Sequence, residues 1–355
     1  MRKKLFLQII LGSVLLMNTS CSNDSTITND DPPKPSLGAY ENGIIIGNEG
    51  TWSDMNASVD FISSDFKKFT SNIYTTVNNE ELGQVLIGIH FKDDLAYLVL
   101  NSSNVVKIVN RYTFKKVGEI KNAINSPRHV AFSDKYIYVT NDTSFDGSKY
   151  VSIYNRSNLS LVKKIDLSEG AEGIVMANGN IFVSNSLLPS KRKTISYING
   201  NTNTLQSIIT VPYEGIQDII SDNNKVYSIC SNYRLADSYI YIISDTGILT
   251  KTITLKGIKN ASDLRIYNGR FYFTAGPQIY SMDMNADNGP SAPLLSTSLN
   301  NRDGFFTGFN IIDDKIITAE SDQYENTSTV HVYNLTGTPI KTFTTGRGTS
   351  GLYKN

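Results

Sequence analysis

Disulfide bonds are excluded as a source of stability here, because only two cysteines, Cys21 and Cys230, occur in 355 residues. The first lies directly behind a leader-like segment, so the second has no partner within the remaining chain even in an oxidising compartment. One tryptophan and three histidines leave little scope for a many-histidine metal centre. Charge of one sign is also missing: Lys and Arg number 33 and Asp and Glu number 33, and no basic cluster occurs beyond the N-terminus, so no nucleic-acid partner is expected. Past residue 21 no stretch holds a helical period over three turns. Nucleophile elbows and phosphate-cradling glycine loops are absent, and no histidine accompanies Cys230, which falls inside a strand pattern; the chain is therefore expected to bind rather than catalyse.

What is present begins with Arg2, Lys3 and Lys4 ahead of an apolar run over 5–16, too short for a permanent membrane span. Residues 1–20 read as a signal peptide. The Ser20-Cys21 step resembles the site at which bacterial lipoproteins are cleaved and acylated, with Asn18 standing where that motif normally carries Leu. Lipidation is expected at Cys21, and residues 21–39, dominated at first by Ser, Asn, Asp, Thr and Pro, form a tether with too little apolar surface to order itself. The Ser22-Asn23-Asp24 start resembles the signal that sends some Gram-negative lipoproteins to the outer face of the outer membrane. The expected location is that membrane, lipid-anchored and surface-exposed, with a periplasm-facing anchor as the alternative.

From residue 40 to 355 the sequence repeats itself. Pro127-Arg128-His129-Val130-Ala131-Phe132 followed by Tyr136-Ile137-Tyr138-Val139-Thr140-Asn141 returns 44 residues later as Ala171-Glu172-Gly173-Ile174-Val175-Met176 followed by Asn180-Ile181-Phe182-Val183-Ser184-Asn185. Further copies run through 216–229, 261–274 and 306–318, with an earlier one at 85–101. Each continues with an alternating segment such as Tyr150-Val151-Ser152-Ile153-Tyr154 and then a fourth, which gives four short strands per repeat. A period of 40 to 50 residues built from four strands marks a β-propeller. The copy at Gly43-Ile44-Ile45-Ile46-Gly47-Asn48 lacks a first strand, and the chain ends on Gly348-Thr349-Ser350-Gly351-Leu352-Tyr353, which looks like one without a blade. Pairing the two predicts an all-β, seven-bladed propeller of four-stranded blades whose ring is closed by its terminal strands.

Tyr138-Val139-Thr140-Asn141 spells the tetrapeptide of the YVTN-type β-propeller repeat family, which the chain resembles over residues 40–355, with looser versions at 182–185 and 98–101. That motif specifies architecture, not activity. Surface lipoproteins with this propeller are similar to accessory subunits of TonB-dependent transporters that capture nutrients, one group binding cobalamin. The resemblance implies a monomeric receptor that takes a small-molecule nutrient, cobalamin first, and passes it to such a transporter.

In a propeller the residues leading into each first strand and the loops leaving each second strand share one face. Arg128, His129, Glu172, Asp218 and Asp263 lie on the lead-ins, while Trp52, Phe145, Arg192, Tyr233, Arg234 and Tyr324 lie in the loops. These eleven are the expected ligand contacts, the aromatic side chains stacking and the arginines donating. His129 is the one histidine expected near the axis, which argues against a histidine metal site. No cofactor is expected, although Glu49, Asn141, Asn185 and Glu320 offer oxygen ligands for a structural calcium. A protein-binding scaffold and a metal-dependent hydrolase or lactonase are the alternative readings.

Overall fold

The computed structural model describes residues 36–143, 147–185, 193–299, 304, 306–321 and 326–355. The signal peptide, Cys21 and most of the tether lie outside them. Residues 37–355 make one compact unit with seven four-stranded antiparallel sheets, so the expected seven-bladed propeller is what the chain forms. Blade 1 combines the last strand of the chain, Thr349–Lys354, with Gly43–Asn48, Ser58–Ser63 and Phe69–Thr70. In blades 2 to 7 the first strands are Leu86–Lys92, Pro127–Phe132, Ile174–Ala177, Ile216–Asp222, Ala261–Tyr267 and Gly308–Ile312, and each is the innermost. Among the described residues the single helix is Ile73–Asn78, and none is long and apolar enough to cross a membrane.

The blades hold together through the faces they turn to one another. Tyr138, Val151 and Ile153 of blade 3 pack with Ile174, Ile181 and Val183 of blade 4, and Tyr227, Ile229 and Ile240 of blade 5 with Leu264, Phe271 and Phe273 of blade 6. At the closing seam Ile44, Ile46 and Leu352 of blade 1 meet Ile317, Val330 and Val332 of blade 7. Because middle strands bury both faces, most of their Val, Ile and Tyr positions are buried, whereas the outermost strand of blade 3, Leu161–Asp166, keeps only Ile165 buried.

A recurring asparagine at or beside the end of the second strand in four blades is structural. Asn141 accepts from the Asn125 N–H and donates to the Val139 carbonyl and to Ser152 Oγ, tying its own blade to the incoming connection. Asn185 is placed alike, and turning its amide lets it donate to Ser196 Oγ and to the Val183 and Gly170 carbonyls. Asn48 and Asn101 are also buried, the latter donating to the Pro127 carbonyl.

Candidate functional site

Irregularities at the start of the inner strands aim side chains at the axis. Register breaks fall between Leu86 and Gly88, Pro127 and Val130, Ile216 and Asp218, and Ser262 and Arg265, and another skips Ser350 opposite Gly47 and Asn48. The extra residues therefore include Arg128, His129, Gln217, Asp263 and Ser350. A bulge leaves its extra residue outside the ladder and re-aims its side chain, which is why such features gather at sites.

On this face a depression of about 730 Å³ is bounded by Glu49, Thr51 and Trp52 of blade 1, Gln217 and Asp218 of blade 5, Asp263 and Arg265 of blade 6, and Phe306, Thr307 and Arg347 near the closing seam. Trp52 is 70% exposed, so nothing in the fold requires its indole. Of the expected contacts, Trp52, Asp218 and Asp263 line this depression. Arg265, Phe306 and Arg347 were not singled out from sequence; Arg265 in particular reads as an ordinary strand residue until the bulge beside it is known.

Charge here is arranged in pairs with carboxylates left over. Arg128 clamps Glu172 with two hydrogen bonds, Nε to Oε2 at 2.9 Å and Nη2 to Oε1 at 2.7 Å. Arg265 donates to Asp218 Oδ2 at 2.7 Å and to the Phe309 carbonyl at 3.1 Å. Burial pushes the Asp218 carboxyl up, and Arg265 works against that shift. Burial likewise raises Glu49, opposed by a hydrogen bond with Ser350 and by the charge of Arg128. Asp263 adopts a left-handed φ of 51° and accepts from Ser262 Oγ at 2.9 Å and Thr274 Oγ1 at 2.7 Å. The lining thus offers hydrogen-bond acceptors beside an exposed indole.

His129 is not alone near the axis. His90, in the first strand of blade 2, meets His129 with ring centroids 5.4 Å apart and planes at 86°. This corrects the expectation of one axial histidine: the two inner strands are adjacent, and both side chains turn into the space between them. Burial lowers both imidazoles, His90 to about 3 and His129 to about 4, so each is neutral at physiological pH.

Other candidates stay apart from the depression. Tyr233, 71% exposed, accepts from Arg234 Nε at 2.9 Å in the loop after the second strand of blade 5. The four oxygen donors weighed for calcium are not brought together: Asn141 and Asn185 spend their amides on blade hydrogen bonds, and Glu320 bonds His331 Nε2 at 3.0 Å. Among the described residues no group of three or more His, Cys, Asp or Glu side chains is placed to hold a metal. Phe145, Arg192 and Tyr324 lie outside the described residues. Cys230 is fully buried, with its thiol donating to the Glu214 carbonyl and pushed up to about 12 by burial, which removes its nucleophilicity.

Comparison with known proteins agrees with this architecture. A family model described as a domain of unknown function (DUF5074) matches residues 42–349. Comparison with curated proteins finds no match. Among solved structures, a quinonprotein alcohol dehydrogenase-like protein from Bacteroides thetaiotaomicron is 14% identical over 89% of this chain and 79% of its own, with a TM-score of 0.68. A functionally unknown protein from Desulfotomaculum acetoxidans is 12% identical over 88% of this chain and 98% of its own, at 0.63. Kuenenia stuttgartiensis hydrazine synthase is 17% identical over 75% of this chain and 88% of its own, at 0.61. At such identities the likeness is one of fold.

Proposed function

The chain belongs to the DUF5074 family, and since that membership carries no activity, we propose from the site itself that it is a lipid-anchored receptor capturing a small-molecule nutrient in the depression beside Trp52. The observation that carries this reading is the concave depression bounded by blades 1, 5, 6 and 7, with Trp52 exposed at its edge. Its volume of about 730 Å³ falls in the range that encloses small ligands, whereas a protein-binding scaffold would favour a flatter surface. Acyl chains on Cys21 hold the receptor at the outer membrane, where it serves a TonB-dependent transporter.

Cobalamin is the ligand to test first. Its flat macrocycle offers a surface to the indole, and its peripheral amides can donate to Glu49 and Asp263, which line the depression. The depression would seat one side of so large a molecule. Isothermal titration with cyanocobalamin should give one-to-one binding that weakens at least tenfold in Trp52→Ala, about 1.4 kcal/mol. Absence of heat removes cobalamin. Binding that Trp52→Ala leaves unchanged removes the depression as the place of capture.

A further inference from the structure

We propose that His90 and His129 together hold one late first-row divalent cation, of the copper or zinc type, between the inner strands of blades 2 and 3. The inference is independent of the proposed function, since neither histidine lines the depression.

The geometry points to a shared ion. Nδ1 of His129 and Nε2 of His90 stand 3.4 Å apart. Two imidazole nitrogens, each about 2.0–2.1 Å from one tetrahedral metal, are separated by about 3.3–3.4 Å. As a hydrogen bond the same distance is long, beyond the roughly 2.7–3.2 Å of ordinary N–H donors. Imidazole is the side chain that suits copper and zinc.

Gly88 supplies the room. Its backbone is not left-handed, so no conformational reason demands glycine there. A Cβ at that position would stand 3.2 Å from His90 Nε2 and 3.4 Å from His129 Nδ1, directly beside the two facing nitrogens. Glycine therefore keeps open the volume next to both donor atoms.

The far ring nitrogen of His129, Nε2, lies 4.0 Å from Glu172 Oε1, a carboxylate that Arg128 fixes in place. With two protein ligands, water completes the coordination, so binding is reversible and weaker than at a closed structural site.

The test uses purified protein without a histidine tag, dialysed against zinc and, separately, copper ions. One ion per chain is expected, and the copper form should show hyperfine coupling to two imidazole nitrogens in its electron paramagnetic resonance spectrum. His90→Gln, His129→Gln and Gly88→Ala should each weaken binding at least tenfold. Gly88→Ala discriminates best, because it keeps both imidazoles and fills only the space beside their facing nitrogens. Failure of the wild-type protein to bind either ion at millimolar concentration overturns the proposal. So does a copper spectrum without two-nitrogen coupling, or affinity unchanged in Gly88→Ala. The wild-type spectrum decides the matter even where a variant fails to fold.

Discussion

Asp142 ends the second strand of blade 3 with 4% of its surface exposed, and its Oδ2 accepts from the Ala171 N–H at 2.9 Å. Burial nevertheless dominates and raises its carboxyl, with the nearby Glu172 adding to the shift. In the unfolded chain the group titrates near its ordinary value of about 3.9, so above that pH the folded state keeps a proton that the unfolded state has released. Stability from this group consequently increases as pH falls from neutral through the raised value, and the desolvated charge is a cost at pH 7. Asp142→Asn retains an acceptor for Ala171 without the charge. It is expected to be more stable than wild type in urea at pH 7, with the advantage shrinking steadily as titrations approach pH 4. An advantage that grew on acidification would reverse the assignment.

At the scale of strands, the inner edges of the blades were legible as elements and illegible as surfaces. Alternating Val, Ile and Tyr broken by Asn, Gly and Asp located Pro127–Phe132 and Tyr136–Asp142 well, because period-two burial is written directly into residue order. The breaks in register were not legible, since a bulge depends on which partner residue is skipped. That is why Arg265 and His90 went unrecognised while Asp218 and Asp263 could be placed at the mouth from their lead-in positions and Trp52 from its loop. The repeated asparagine carried a double meaning: oxygen ligand by composition, blade fastener by geometry. Asn141 makes three hydrogen bonds at zero exposure, so Asn141→Ala strands the Asn125 N–H and should destabilise the protein by about 1–3 kcal/mol. Chemical denaturation reads this directly. Ligand affinity, measured on the folded fraction, should stay unchanged, because Asn141 does not line the depression.

At the scale of the whole molecule, the ring is fastened by its last residues. Thr349–Lys354 pairs antiparallel with Gly43–Asn48, matching Tyr353 to Ile45 and Leu352 to Ile46. Leu352 is 3% exposed in the seam with blade 7, and the Ile89 N–H of blade 2 donates to Tyr353 Oη at 3.1 Å. Asn355 continues the attachment by donating to the Arg111 carbonyl at 2.9 Å. One strand thus contacts three blades. Removing residues 349–355 would uncover the inner edge of Gly43–Asn48, including Ile45 and Ile46 at zero exposure, and leave a sheet edge open to other chains. Loss of a single cooperative unfolding transition and concentration-dependent association on size exclusion are the expected results. Leu352→Ala, which keeps the strand and deletes only its seam contact, should unfold cooperatively with a loss of about 2–5 kcal/mol. If the truncated chain instead melted in one sharp transition close to wild type, blades 2 to 7 would be holding the ring without the terminal strand, and closure would be a consequence of the fold and not its fastening.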